Sequence, residues 1–303
     1  MGRSSAPVAA PARELRTGLV LGVAAYATWG VVPIYWKLLG GVSPVEILAC
    51  RALFGLAAFV ALAAVARQGP AIRAAVRDRR VLAVLALSST LLAFNWGMFI
   101  YATLSGHLLQ ASLGYFINPL VSVGLGVVFL RERLRPLQRI AIVLATIGVL
   151  WLAAGAGPPW ISLGLAASFG LYGLLRKTAP VEALAGSTVE TALMAPVGAA
   201  YLVWSAAGAH GAFGHADLRT HLLLAATGVV TALPLAWFTA AARRLPLAII
   251  GFLQYLAPTG QFLTAVLLFG EPLAARKLTA FGFIWAALLV FSADLVRISR
   301  ARP

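Results

Sequence analysis

Ten apolar runs follow one another along this 303-residue chain, separated mostly by very short connections. A helix that spans a bilayer needs about 20 consecutive apolar residues. The short connections predict that helices adjacent in sequence lie antiparallel. The sequence therefore predicts an all-α membrane protein with ten transmembrane helices at residues 17–39, 43–66, 80–104, 107–130, 137–155, 159–177, 181–206, 219–242, 245–269 and 276–297.

The composition agrees with this prediction. Hydrophobic residues make up 61% of the chain and charged residues only 11%, whereas soluble domains are about 45–50% apolar and about 25% charged. The net charge of +15 would suit nucleic acid, but the basic residues lie in the connections between apolar runs. This placement is typical of membrane topology control, so we expect the lipid bilayer as a partner and no nucleic acid.

The distribution of Arg and Lys predicts the orientation of the chain in the membrane. If the amino terminus is cytoplasmic, nineteen basic residues lie in cytoplasmic segments and four lie in segments on the other side. Cytoplasmic loops carry the excess of Arg and Lys in membrane proteins. We therefore expect both termini in the cytoplasm, with a disordered polar tail at residues 1–16 and a short cytoplasmic tail at residues 298–303.

Two pairs of similar segments indicate an internal repeat. "PVEILA" at 44–49 and "PVEALA" at 180–185 share five of six residues, at an offset of 136. "GYFINPL" around Pro119 corresponds to "LQYLAPT" around Pro258 at an offset of 139, and this offset also places Glu132 on Glu271. The nearly equal offsets predict two five-helix repeats, at 17–155 and 156–297, that form one folding unit.

Because five is an odd number, equivalent helices of the two repeats would cross the membrane in opposite senses. Such an inverted-topology repeat is a common plan of secondary transporters, and substrates bind near the midplane between the two halves. The fifth and tenth helices carry almost no polar residues in their centres. We expect them to face lipid or a second copy of the chain, so a homodimer is one option.

Polar residues inside the apolar runs are candidates for the binding site, because polar groups in hydrocarbon must pair or line a wet cavity. The predicted lining is aromatic and rich in amides. It suits a small organic solute with a mixed polar surface and suits a bare inorganic ion poorly. The candidate substrate-binding residues are Trp29, Asn95, Tyr115, Asn118, Tyr172, Gln254 and Tyr255.

Pro119 and Pro258 are predicted to break their helices at corresponding positions of the two repeats. A proline lacks the backbone donor and clashes with the preceding turn, and interrupted helices in matching positions point to a binding site. The alternative is that Asn118 and Pro119 form a simple kink in which the amide bonds a freed carbonyl.

Arg51 and Glu190 are the two ionisable residues predicted to lie inside the membrane. Glu190 lies about ten residues into its run, near the midplane, where keeping a carboxylate charged is costly. One interpretation is that Glu190 carries a proton during transport. The other is a structural ion pair between Glu190 and Arg51, or a backbone-capping role.

No metal site, cofactor or catalytic machinery is expected. The four histidines are scattered and have no carboxylate or thiol partners at a metal-binding spacing. The motifs of nucleophile elbows, zinc proteases and phosphate-binding loops are absent from the sequence.

Six segments of the chain together resemble one family: "AAYATWGVVPIYWKLL", "AFNWGMFIYA", "QASLGYFINPLVSVGLGVVFLRERL", "SFGLYGLLRK", "FTAAARRLPLAIIGFLQYLAPT" and "FGFIWAALLVFSAD". The chain is similar to RarD-type proteins, a branch of the EamA group within the drug/metabolite transporter superfamily. This resemblance implies a ten-helix transporter of the bacterial inner membrane, built from two inverted EamA repeats. Arg51 matches the arginine of the family's second helix, whereas Gly260 departs from the family pattern.

The resemblance also implies export, because relatives export amino acids, metabolites or drugs, and RarD-type proteins are commonly linked to chloramphenicol resistance. The leading hypothesis is a secondary transporter that moves a small organic metabolite or drug by alternating access. Two alternatives remain open at this point. One is an uncoupled facilitative channel, and the other is a membrane accessory or sensor protein without transport.

Overall fold

The computed structural model describes residues 12–104, 107–154, 160–208, 211–268 and 275–300. Within these ranges all regular structure is helical, which confirms the predicted all-α class. The helices are α1 (Ala12–Leu38), α2 (Pro44–Val65), α3 (Gly69–Arg77), α4 (Arg79–Leu104), α5 (Leu108–Leu130), α6 (Pro136–Ala153), α7 (Trp160–Thr178), α8 (Ala183–Ala207), α9 (Leu218–Arg244), α10 (Leu247–Gln254), α11 (Leu256–Leu267) and α12 (Ala275–Arg300).

Local sequence signals explain several helix starts. Proline occupies the first position of α2 and α6, where its missing backbone donor has no consequence. Asp217 caps α9 by accepting a hydrogen bond from the Thr220 amide at 3.0 Å. Asp78 caps α4 in the same way through the amides of Arg80 and Val81, at 2.8 and 3.2 Å.

A carboxylate from one predicted repeat also caps a helix of the other. Glu132 follows α5, and its two oxygens accept hydrogen bonds from the amides of Leu247 and Ala248 at 2.7 and 3.0 Å. A negative charge at a helix start is favourable because it meets unpaired donors and the positive end of the helix dipole. Glu271, which the repeat pairs with Glu132, lies outside the described residues.

Three predicted boundaries need correction. The helix α1 begins at Ala12, so the second part of the predicted disordered tail is helical. The connection after α2 contains the additional helix α3, which is short and amphipathic and so lacks the long apolar signal of a span. The predicted run at 245–269 consists of two helices, α10 and α11, that meet at Tyr255.

Seven helical segments of the described chain are long and apolar enough to cross a membrane: Arg13–Leu38, Pro44–Val65, Arg79–Phe99, Leu113–Leu130, Pro136–Ala153, Ala183–Ala207 and Leu218–Arg244. A shorter apolar stretch lies at Leu278–Asp294 in α12. The chain is therefore a multi-pass membrane protein.

The helices pack in pairs that join distant parts of the chain. The most extensive contacts link α5 with α7, α6 with α12, α2 with α8 and α9, α1 with α9 and α11, α10 with α5, and α4 with α7. The outer faces of α6 and α12 expose large apolar side chains such as Val143, Leu150 and Leu289. In a bilayer such faces contact lipid tails or another apolar surface, while the polar side chains of the bundle lie inside.

Glycines allow a close helix crossing between α1 and α11. A methyl group added at Gly260 would lie 2.8 Å from the Cα of Gly30, and one added at Gly30 would lie 3.1 Å from the Cα of Gly260. These distances are below normal contact, so the two backbones meet where neither residue has a side chain. Small residues serve the same purpose at many helix interfaces in membranes. The structure thus gives a reason for glycine at position 260.

Replacing Gly260 with Ala should destabilise the protein, because the added methyl group forces α1 and α11 apart. Overpacking of a tight contact costs about 1–3 kcal/mol. The expected result is a clear drop in the melting temperature of the purified protein in detergent. Gly282→Ala in α12 is the matched control, since a methyl group there meets no atom within 4 Å. Equal melting temperatures for the two variants would contradict the proposed crossing.

Candidate functional site

Aromatic side chains from α1, α7 and α9 form a layer inside the bundle. The ring of Trp29 lies 5.3 Å from Tyr26, 6.1 Å from Phe169 and 5.9 Å from Phe238. Tyr172 stacks on Phe238 at 5.9 Å and also contacts Phe169 at 5.8 Å. We call these five residues the aromatic layer. It joins two predicted binding residues, Trp29 and Tyr172, through rings that the sequence did not single out.

Asn95 connects α4 to α7 beside this layer. Its side-chain nitrogen donates to the carbonyl of Leu165 and to the hydroxyl of Ser168, both at 2.9 Å. Asn95 is buried, and its two donors are used within the protein. In this conformation Asn95 positions α7, next to Phe169, and its donors are not available to a ligand.

Polar side chains at the contact between α5 and α10 are only partly satisfied. Gln254 donates to the hydroxyl of Ser122 at 3.0 Å, and Tyr255 donates to the carbonyl of Phe116 at 3.3 Å. Asn118 lies against α7, where its Oδ1 would be 3.7 Å from a methyl group added at Gly170. Gln254 and Tyr255 therefore contact α5 directly, whereas Asn118 on the same helix faces α7.

Three buried polar atoms near this contact have no hydrogen-bond partner: Tyr26 Oη, Asn118 Oδ1 and Gln254 Oε1. Tyr26 belongs to the aromatic layer, and its hydroxyl lies close to the Gln254 side chain without forming a hydrogen bond of normal geometry. A buried polar atom without a partner costs about 1–3 kcal/mol. These atoms come from α1, α5 and α10: Tyr26 and Gln254 are neighbours, while Asn118 faces Gly170 of α7.

The two prolines differ in their effect on the helices. The helix α5 continues through Pro119, so the predicted break there is wrong. The hydroxyl of Tyr255 bonds the carbonyl of Phe116 in the turn before Pro119, and such outside donors support a proline-containing helix in a membrane. In the second predicted repeat, α10 ends at Gln254 and Pro258 lies in the first turn of α11. A proline at 258 cannot donate to the carbonyl of Gln254, which is consistent with the break at Tyr255.

Glu190 is the centre of a buried charged cluster. Its carboxylate accepts hydrogen bonds from the hydroxyls of Ser88 and Tyr172, the latter at 3.4 Å. Arg176 lies 3.7 Å away, from Nε to Oε2, and both charged side chains are only 1% exposed. Arg176 also donates to the carbonyl of Ala183 at 2.7 Å. We call Ser88, Tyr172, Arg176 and Glu190 the Glu190 cluster.

This cluster corrects the predicted ion pair. The partner of Glu190 is Arg176, whereas Arg51 was the expected one. Arg176 ends an apolar run next to Lys177, so the sequence places it in a polar connection and counts it as a topology signal. In the structure it is buried in the last turns of α7. Nothing in the sequence pattern separates such an arginine from an exposed one.

Arg51 forms a second cluster on another part of the bundle. Its Cζ lies 5.3 Å from the ring of Trp36 and 4.7 Å from the ring of Trp96, and its Nε donates to Thr231 at 3.0 Å. Tyr115 interacts electrostatically with Arg51. These five residues, the Arg51 cluster, come from α1, α2, α4, α5 and α9. Arg51, Trp36, Trp96 and Tyr115 are partly exposed.

The predicted site residues thus fall into an interior region and two charged clusters, and Tyr172 belongs both to the interior and to the Glu190 cluster. Trp29, Tyr172, Asn118, Gln254 and Tyr255 belong to the interior, with Asn95 beside them. Tyr115 belongs to the Arg51 cluster, and its ring lies 5.8 Å from Phe99. The described residues contain no group of three or more His, Cys, Asp or Glu side chains that could hold a metal ion. Amides, hydroxyls and aromatic faces can bind a solute by hydrogen bonds and stacking.

Comparison of the amino-acid sequence with known proteins shows the family to which the chain is related. The EamA-like transporter family matches residues 16–154. An uncharacterised transporter of Pseudomonas aeruginosa is 47% identical over 292 residues, which cover 96% of this chain and 98% of that one. Protein RarD of Salmonella typhi is 45% identical over 292 residues, covering 96% and 99% of the two chains.

A solved crystal structure of another protein has a related fold. It superposes with a TM-score of 0.71 and covers 93% of this chain and 99% of that chain, at 19% sequence identity. At this identity the likeness shows a shared arrangement of helices and carries no information on the ligand.

The Arg176–Glu190 pair leads to a prediction for stability. Arg176→Met should leave the Glu190 carboxylate buried without a cation, which costs about 3–5 kcal/mol. The double variant Arg176→Met/Glu190→Leu removes both charges and should recover most of the loss. Melting temperatures in detergent measure the difference, with Arg73→Met on the exposed face of α3 as control. A double variant no more stable than Arg176→Met would show that the two side chains do not act as a pair.

Proposed function

The chain belongs to the RarD-type branch of the EamA transporter family, and on this premise we propose that it is a secondary transporter that works by alternating access. Its cargo is a small organic metabolite or drug, which it moves across the bacterial inner membrane. The direction we propose is export, as in the drug- and metabolite-exporting relatives that the sequence resembles.

The observation that carries this proposal is that α1, α5 and α10 each hold a buried, unpaired polar atom inside the bundle. Tyr26 Oη, Asn118 Oδ1 and Gln254 Oε1 are buried without partners, next to the aromatic layer. A solute that enters between α1, α5 and α10 would supply the missing hydrogen bonds and stack on the rings of Trp29 and Tyr172. Ligand sites combine such apolar walls with a few polar groups that fix orientation.

The helix contacts support two inverted repeats at 17–155 and 156–297. We match α1, α2, α4, α5 and α6 with α7, α8, α9, α10–α11 and α12. Exchanging the two sets maps most of the extensive contacts onto one another. The pair α1 with α9 maps onto α7 with α4, and α5 with α7 maps onto α11 with α1. The pairs α2–α8, α5–α10 and α6–α12 map onto themselves. All of these contacts are among the extensive ones of the bundle.

In this arrangement the two charged clusters lie at opposite ends of the solute path. Arg51 is seven residues from the start of α2, and Glu190 is seven residues from the start of α8. With a rise of 1.5 Å per residue, each lies about 10 Å from the beginning of its helix. With both termini cytoplasmic, α2 starts outside and α8 starts inside. The exposed arginines around α3, such as Arg73 and Arg77, then face the cytoplasm.

The burial of the clusters supports an outward-facing conformation. The Glu190 cluster is fully enclosed, whereas the Arg51 cluster is partly accessible. We propose that the Glu190 cluster seals the cytoplasmic side and that protonation of Glu190 weakens its attraction to Arg176. Release of Arg176 would let α7 and α8 separate, so that the solute path opens to the cytoplasm. Glu190 is then the site of proton coupling.

Counterflow in proteoliposomes tests this function. A thermal-shift screen of metabolites and antibiotics, beginning with chloramphenicol, first identifies a stabilising solute. The protein should then show saturable counterflow of that solute, and Asn118→Leu should lower its rate by about tenfold or more, because the polar partner is lost. Val128→Leu is the matched control, since Val128 lies on the same helix and is 71% exposed.

Two results would contradict the proposal in different ways. Flux that rises linearly with solute concentration, without counterflow, indicates a channel. Solute flux that is the same for Asn118→Leu, Val128→Leu and empty vesicles indicates an accessory or sensor protein without transport.

A further inference from the structure

We infer that the Arg51 cluster binds the carboxylate group of an organic anion, which makes a carboxylate-bearing solute the cargo class of the transporter. This inference rests on the proposed function, because it places Arg51 at the outer end of the solute path. Its basis is the contacts that Arg51 makes, together with the absence of an acidic partner and of hydrogen bonds to its Nη atoms in the described structure.

Arg51 has no acidic partner in the described part of the chain. The ion pairs found there are Arg135–Asp294, Arg176–Glu190 and Arg244–Glu14. The carboxylate of Glu46 lies on the same helix, but its oxygens accept the amides of Ala212 and Phe213 at 3.0 and 2.6 Å. The acidic side chain nearest to Arg51 in sequence is therefore already occupied.

An arginine within a membrane protein normally pairs with an acidic group or with backbone carbonyls, because an isolated cation in this environment is costly. Trp36 and Trp96 compensate part of that cost through cation–π contacts. They neutralise no charge. The two large cations of the bundle thus differ: Arg176 has Glu190, whereas Arg51 keeps its positive charge in a partly open position. An anionic solute would complete the second pair.

The unused edge of the guanidinium has the right geometry for a carboxylate. A guanidinium has five N–H donors, and among the described contacts only the Nε donor of Arg51 is used, by Thr231. The Nη1 and Nη2 atoms make no hydrogen bond there and are not enclosed as buried unpaired atoms. Two parallel donors of this kind bind a carboxylate in a bidentate manner.

The neighbouring side chains add a preference for an aromatic or apolar body. Trp36 and Trp96 provide apolar walls, and Tyr35 extends them with its ring 5.1 Å from Trp36. Tyr115, which interacts with Arg51, adds a hydroxyl to the cluster. The site therefore fits an aromatic or apolar carboxylate that enters with its charged group towards Arg51 and passes on to the aromatic layer.

Matched pairs of probes test the inference on purified full-length protein in lipid nanodiscs. The pairs are indole-3-acetate with indole-3-acetamide, phenylacetate with phenylacetamide, and benzoate with benzamide. In each pair the shape is nearly constant and only the charge changes. Calorimetric titration should show at least one carboxylate binding about tenfold or more tightly than its amide. Phenylphosphonate is included as a tetrahedral anion.

The variants distinguish recognition by Arg51 from a general attraction of anions to the positively charged protein. Arg51→Gln should remove the preference for the carboxylate, and Arg51→Lys should keep only part of it, because lysine lacks the planar fork. Arg73→Gln, an exposed arginine of α3, should retain the preference in full. If Arg51→Gln does not fold, the comparison between Arg51→Lys and the original protein gives the same answer.

Several results would overturn the inference. One is that no carboxylate of the three pairs binds better than its amide. Another is that Arg51→Lys and Arg51→Gln keep the full preference, in which case Arg51 is a structural clamp between α1, α2, α4 and α9. Tighter binding of phenylphosphonate than of phenylacetate would overturn the assignment to carboxylates.

The readout is binding, so it stands apart from the proposed transport activity. Carboxylate binding that depends on Arg51, without counterflow, would support the site and contradict transport. Counterflow of uncharged solutes alone would support transport and contradict the carboxylate site.

Discussion

The cost of leaving polar groups unpaired in hydrocarbon is the constraint on which the interior of this protein depends. A bilayer offers no water to a buried amide, hydroxyl or charge, so each must find its partner inside the protein. Most do: Asn95 bonds α7, Ser122 bonds Gln254, and Glu190 bonds Ser88, Tyr172 and Arg176. These bonds join helices that are distant in sequence and so fix how the bundle packs.

Some exceptions to this rule lie in the region that we propose to be functional. Three oxygen atoms between α1, α5 and α10 remain buried without partners, and the Arg51 guanidinium has no carboxylate beside it in the described structure. Unsatisfied groups of this kind are unfavourable for a protein that only needs to be stable. They are favourable for a transporter, which must bind a solute and release it again, because the solute replaces partners that the fold does not provide.

Much of the helical framework could be predicted from the sequence, because long apolar runs and short connections leave few alternatives. The short helix α3 could not be predicted, because its nine residues include two arginines and their sequence resembles that of a polar loop. The opposite effects of Pro119 and Pro258 also depend on tertiary structure. The donor that supports α5 before Pro119 is Tyr255, 139 residues away, and local sequence carries no signal of it.

The candidate site shows the same division between local and distant information. Asn118, Gln254 and Tyr255 could be identified because polar residues stand out in an apolar run. The role of Arg176 could not, because its burial depends on α8 folding over the end of α7. Phe169 and Phe238 were also missed, since aromatic side chains in apolar runs are as common in lipid-facing positions as around a ligand.

Alternating accessibility of the two ends of the bundle is the central claim, and cysteine labelling tests it most directly. The natural Cys50 is buried and is replaced with alanine. Single cysteines are then placed at Ile47, one helical turn before Arg51, and at Ser89, which bonds the backbone of Glu190. Membrane-impermeant maleimide is added to the outer side of oriented vesicles for Ile47→Cys and to the cytoplasmic side for Ser89→Cys.

At neutral pH, alternating access predicts that Ile47→Cys is labelled and that Ser89→Cys is protected. Acidifying the cytoplasmic side should slow the labelling of Ile47→Cys and speed the labelling of Ser89→Cys. If labelling at both positions becomes faster together, or if neither rate responds to acid, the two ends do not open alternately.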